Sequence, residues 1–114
     1  MYNMTLRGCN LNITNYYFTN DTLVLEFNDY IGDCPKEEFD KYCSLIITVL
    51  GYSIVNGSLI PDEQKVITKN YRCTENRCYI DFRDIAKRTY YVILVDIENN
   101  NISGRINKDI YVKW

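Results

Sequence analysis

The sequence predicts an all-β fold, an antiparallel β-sandwich of about seven strands in a single domain covering residues 1–114. Three observations predict it. Apolar residues recur mostly at every second position, the period of a strand with one face buried. Turn-forming residues interrupt that alternation at intervals of about ten positions. Aromatics make up 14% of the chain, with 11 Tyr, and these side chains suit pleated surfaces better than helices. A hydrophobic fraction of 46% in 114 residues is enough for one core.

The elements follow in order. LNITNYY, from Leu11, reads as the first strand. In TLVLEF, Leu23, Leu25 and Phe27 share one face, and Thr22, Val24 and Glu26 the other. PKEEFDKYC, from Pro35, has the only helical spacing and reads as a loop with a short exposed turn of helix. CSLIITVL, Cys43 to Leu50, is apolar on both faces, as a central sandwich strand is. In YSIVNGSLI the pair Asn56-Gly57 stands between apolar flanks; both residues tolerate positive φ, so a tight hairpin is expected. QKVITK, CYIDF and TYYVILVDI are further strands, the last the longest, and DIYVKW alternates again at the C-terminus.

Composition excludes several functions. A net charge of −2 supplies no basic face for nucleic acid or an anionic membrane. No apolar run approaches the roughly 20 residues that cross a bilayer, so no membrane insertion is expected. Histidine is absent, which removes the commonest general base and any Ser-His or Cys-His nucleophile. Asp81 and Asp84 are three apart in a strand-to-turn region, a spacing that defines no acid–base pair. The expectation is a protein that is not an enzyme and holds no cofactor.

There are five cysteines. A zinc site needs four ligands, usually two close Cys pairs or Cys with His. Cys73 and Cys78 are the only close pair, and they precede a period-two segment where a redox motif wants a helix. The polar turn residues between them suit a reversal closed by a disulfide, which staples the start of the following strand. Five N-glycosylation sequons begin at Asn3, Asn12, Asn20, Asn56 and Asn101. Sequons and cysteines together point to an oxidising, secretory compartment. The N-terminus lacks the apolar core of a signal peptide, so a secreted form is expected to have lost one already.

CYIDFRDIAKRTYYVILVDIEN resembles the E-strand, turn and F-strand of a fibronectin type III domain, an immunoglobulin-like seven-stranded sandwich. In that family an apolar residue leads, six positions on, to a tyrosine whose hydroxyl closes the corner. Ile85 and Tyr91 have that spacing, followed by Ile93, Val95, Ile97 and Asn99, although Tyr90 serves the same pattern. A small cysteine loop before the E-strand is similar to the class II cytokine receptors. Within that group TLVLEF, the charged insertion before Cys43, IVNGSLI and KNYRCTENRCYIDF most resemble the membrane-proximal domain of the interferon-gamma receptor and its poxviral secreted homologues. The likeness runs over roughly residues 10 to 112.

The resemblance implies a secreted or ectodomain module that captures a host protein ligand, interferon-gamma or a related cytokine, as a viral immune-evasion decoy would. It also implies a Cys9–Cys43 bridge, with a local Cys34–Cys43 link as the competing pairing. With Cys9–Cys43 formed, Cys34 is the odd cysteine, available for a covalent homodimer. Ligand contact would fall on the B–C loop through Asp29, Tyr30, Ile31, Asp33, Glu37, Glu38, Phe39 and Asp40. Its acids would steer a basic cytokine and its apolar side chains would anchor it. The F–G loop, Glu98 to Arg105, carries the Asn101 sequon and contributes less. The family's further cysteine pair on strands F and G is missing, with Tyr91 and Tyr111 there instead. The tandem partner domain is missing too. The alternative function is a structural adhesion or oligomerisation domain, joined through Cys34 or an edge strand.

Overall fold

The computed structural model describes residues 13–27, 42–72, 76–99 and 102–114. Seven strands lie among them: β1 (Ile13–Thr19), β2 (Thr22–Phe27), β3 (Tyr42–Val55), β4 (Ser58–Arg72), β5 (Arg77–Asp81), β6 (Tyr90–Asn99) and β7 (Ile102–Tyr111). They form two antiparallel sheets, one ordered β1-β2-β5 and the other β4-β3-β6-β7. The chain is all-β, a sandwich of these two sheets.

Period two decides what lies between the sheets. Leu23, Leu25 and Phe27 from β2 meet Leu45, Ile47 and Val49 from β3 and Tyr91, Ile93, Val95 and Ile97 from β6, all buried. Cys78, Ile80 and Phe82 complete the layer from β5. Full burial of each such side chain favours folding by roughly 1.5–3 kcal/mol before chain entropy is counted. Val24 departs from the expected pattern. It points away from the core yet is only 2% exposed, because its cross-strand partners Tyr17 and Tyr79 flank it on the outer face.

β4 is a single strand through SLIPDEQKVITKNYR, where the sequence reading broke it at Pro61. Pro61 cannot donate to a ladder, and two facts accommodate it. β4 is an edge strand, and the register slips there, Gly51 facing Glu63 while Tyr52 faces Pro61. Asp62 is the extra residue of that bulge. β6 and β7 also run further than expected. Asn99 faces Ile102, so most of the Glu98–Arg105 segment read as a loop is strand.

Side chains stitch both open sides of the sandwich. Along one, the Tyr79 N–H donates to Tyr71 Oη at 3.1 Å and Lys69 Nζ donates to the Tyr79 carbonyl. Along the other, the Tyr111 N–H reaches Tyr16 Oη at 3.4 Å, and Lys108 stands over the Tyr16 ring.

Among the described residues, the β5–β6 corner is fixed by several side-chain hydrogen bonds at once. Tyr91 Oη donates to the Ala86 carbonyl at 2.7 Å and accepts from the Arg88 N–H at 2.6 Å. Of the two adjacent tyrosines, Tyr91 therefore closes the corner. The Ala86 N–H donates to Glu63, and Arg88 makes a forked pair with the bulge residue Asp62. Trp114 donates from Nε1 to the Arg88 carbonyl and packs against Phe18 and Phe82.

Candidate protein-binding surface

Because Leu45, Ile47 and Val49 face inward, Ile46, Thr48 and Leu50 face outward on β3. On β6 the same parity puts Tyr90, Val92 and Leu94 outside. Register aligns the two strands: Ile46 stands opposite Asp96, Thr48 opposite Leu94, Leu50 opposite Val92 and Tyr52 opposite Tyr90. The outer face of the four-stranded sheet thus carries an apolar stripe down its two central strands. Mostly polar residues border it, Asn107 and Asp109 on β7, Gln64 and Thr68 on β4, with Val66, 54% exposed, between the last two. An apolar centre within a polar rim is the anatomy of a protein contact surface. Four strands at 4.8 Å by about ten residues at 3.3 Å give roughly 600 Å², near the 800 Å² per partner of a standard interface.

Two fixed features bound the stripe. At one end Arg105 makes a forked pair with Asp96, at 2.5 and 3.1 Å, and holds that carboxyl below its ordinary 3.8. At the other end three rings form a row. Tyr52 and Tyr90 have centroids 5.2 Å apart, and Tyr90 stacks on Tyr111 at 5.0 Å. Burial first, then the Asp109 charge, pushes the Tyr90 phenol above its ordinary 10.0. Tyr111, the last ring of the row, and Ile54 beyond it remain 68% and 71% exposed.

The expected ligand loop cannot be set against this face. Asp29, Tyr30, Ile31, Asp33, Glu37, Glu38, Phe39 and Asp40 lie outside the described residues. So do Cys9, Cys34, Cys73, Asn3, Asn12 and Asn101. Cys43 sits on β3 opposite Tyr71, and Cys78 is buried on β5 opposite Leu25. Asn20 and Asn56 occupy exposed two-residue turns, with φ of 56° and 52°. Among the described residues no group of three or more Asp, Glu or Cys is placed to hold a metal ion, and no helix is long and apolar enough to cross a membrane.

The outer stripe escaped the sequence reading, which gave CSLIITVL as apolar on both faces but assigned ligand contact to a loop. The signal was present. Apolar residues at both parities of β3 and β6 mean two apolar faces, and a two-sheet fold covers only one.

These features define an all-β two-sheet sandwich whose four-stranded sheet has a half-buried apolar outer face that no other described sheet covers. No known protein family, curated protein or solved structure matches the chain.

Proposed function

We propose that the protein is a fibronectin type III-like module of the cytokine-receptor kind, secreted or displayed outside the cell, which captures a host protein ligand and transforms nothing. Two features support the fold assignment: the strand order β1-β2-β5 and β4-β3-β6-β7, and the Tyr91 corner at the position the resemblance implies. The observation that carries the function is the half-buried outer stripe of Ile46, Leu50, Val92 and Leu94, ending on the tyrosine row and overlaid by no other described sheet.

The ligand class is interferon-gamma or a related basic cytokine. The β2–β3 segment from Asn28 to Lys41 holds five acids against two lysines, and its anchors Phe27 and Tyr42 flank the end of the sheet away from the tyrosine row. Acidic steering at that end and apolar contact along the face would act on one bound protein. Assembly by edge-strand pairing is the weaker reading. β4 carries Pro61, a bulge, Lys65 and Lys69, all of which blunt an edge.

The test is surface-binding measurement against purified interferon-gamma and related cytokines, with Val92→Asp and Leu94→Lys variants. Binding is expected for the wild type and lost in both variants at unchanged melting temperature. No binding by a folded wild type, or binding indifferent to both substitutions, would remove the proposal.

A further inference from the structure

We propose that Asn56 carries an N-linked glycan whose first sugars lie over the apolar corner formed by Ile54, Leu59 and Tyr111. The β3–β4 hairpin tip poses a problem that the fold leaves unsolved. Ile54, Val55, Leu59 and Ile60 are 71%, 50%, 53% and 44% exposed, and Ile54 and Leu59 face each other across the hairpin. They line a groove of about 660 Å³ that continues to Thr89, Tyr90 and Tyr111. Contiguous exposed apolar surface of this kind is covered by something in a protein that stays soluble.

The turn that joins these residues is itself the sequon Asn56-Gly57-Ser58. Asn56 and Gly57 have φ of 52° and 82°, the backbone of a tight two-residue hairpin turn, and Asn56, Gly57 and Ser58 are all exposed. Among the described residues nothing lies within 4 Å of the position a Cβ would take on Gly57, so the turn is open to the transferring enzyme. The donor is a lipid pyrophosphate-linked oligosaccharide. The Asn56 amide nitrogen bonds to the anomeric carbon of the first N-acetylglucosamine, and the bond from that carbon to the pyrophosphate oxygen breaks. The lipid pyrophosphate leaves with the electron pair, and the amide loses one proton. Ile54 and Leu59 are two and three residues from the attachment point, within about 7–10 Å along the strands. A pyranose ring has an apolar face of C–H groups, which suits aliphatic side chains and the flat stacked pair of Tyr90 and Tyr111. An oligosaccharide rooted in the turn also stands between this corner and any arriving macromolecule, whereas the Ile46–Leu94 part of the face is further along the sheet.

Asn20 supplies an internal comparison. It too occupies an exposed turn with positive φ, but its sequon runs into the half-buried Thr22 and the neighbouring groove is lined by Asp21, Lys69, Asp81 and Arg83 with one aromatic, Tyr79. A glycan there has a mainly charged bed.

The inference rests on the secretory reading above, and the experiment separates the two. Protein secreted from mammalian cells is mapped for glycopeptides, then trimmed to one N-acetylglucosamine per site for NMR. Expected are occupancy at Asn56, nuclear Overhauser contacts from its sugar to Leu59 and Tyr111, and a several-fold rise in hydrophobic-dye fluorescence for Ser58→Ala. Occupied Asn20 with bare Asn56, or an Asn56 sugar without those contacts and with unchanged dye binding, overturns this inference alone. A chain that is not secreted, or is bare at both sites, overturns the secretory reading with it. Cytokine binding on the same material reads the capture function separately.

Discussion

Replacing Tyr91 by Phe isolates the corner from the core. The ring is fully buried and lies edge-on to Phe82 at 5.1 Å and 88°, contacts that Phe reproduces. Only the hydroxyl is lost, and with it the bond to the Ala86 carbonyl and the one from the Arg88 N–H. A buried polar group left unmade costs about 1–3 kcal/mol, and a net hydrogen bond is worth about 0.5–1.5. Both partners here are only partly buried, so water recovers some of the loss and the lower half of each range applies. The sum is about 1.5–3 kcal/mol, a substantial share of the roughly 5–15 kcal/mol that stabilises a domain. For a chain of this length that corresponds to a fall in melting temperature of about 5–15 °C. Urea unfolding is the assay, with the midpoint expected to fall and the slope to stay constant, since the buried area is unchanged. Tyr90→Phe is the control. Its ring lies on the outer face, and loss of its hydroxyl is expected to cost under about 0.5 kcal/mol. A Tyr91→Phe protein as stable as wild type, or a Tyr90→Phe protein equally weakened, would refute the assignment of the corner to Tyr91.

Three further outcomes are expected. Gly51→Ala brings a Cβ to 3.1 Å from both Glu63 Cβ and the Tyr91 ring, and 3.2 Å from Arg88 Cγ. Overpacking of that kind costs about 1–3 kcal/mol, read by the same urea titration. Acid weakens the fold through its paired aspartates. Arg88 and then Ser53 hold the Asp62 carboxyl below 3.8, and Arg83 holds Asp81 down to about 2. Each contribution is complete above the unfolded value of 3.8 and is lost as pH falls through the lowered folded value, about 2 for Asp81, so unfolding free energy should decline below 3.8 and decline less in Asp81→Asn. Glu37→Lys with Glu38→Lys should slow association with a basic cytokine, most at low salt, in a surface-binding assay.

The sequence disclosed the strands where one parity was apolar and the other polar, and misled where both were apolar. TLVLEF could be read because Thr22 and Glu26 mark its outer side. TYYVILVDI could not be oriented, since Tyr90, Val92 and Leu94 are as apolar as Tyr91, Ile93 and Val95. Which set is buried depends on the partner sheet, and that is tertiary information. The same ambiguity hid the candidate site, because an uncovered apolar face and a covered one have the same letters. β4 was concealed differently. Pro61 and the charged run Asp62-Glu63-Gln64-Lys65 look like a linker, and only the edge position and the bulge make them strand. In ISGRINKDI the polar residues read as loop, yet pairing with β6 settles them into the ladder.

The two ends of the sandwich are built for different work. Around the Tyr91 corner, a ring hydroxyl, two ion-paired or hydrogen-bonding carboxylates and the Trp114 indole all converge on residues 86–88. That end also holds both described sequons and Trp114. A corner so anchored, beside two turns open to glycosylation, is poorly suited to admit a large partner. The opposite end receives the long acidic β2–β3 connection, and between the ends runs the apolar stripe on β3 and β6. Rigidity at one end fixes the geometry of the face at little cost, because the strands of the stripe are central in their sheet and paired on both sides. A rigid apolar face loses less entropy on docking than a loop does. If the protein captures a ligand as proposed, the face would set how long that ligand stays and the acidic connection how fast it arrives. Substitutions at Val92 and Leu94 should therefore act on dissociation, and those at Glu37 and Glu38 on association.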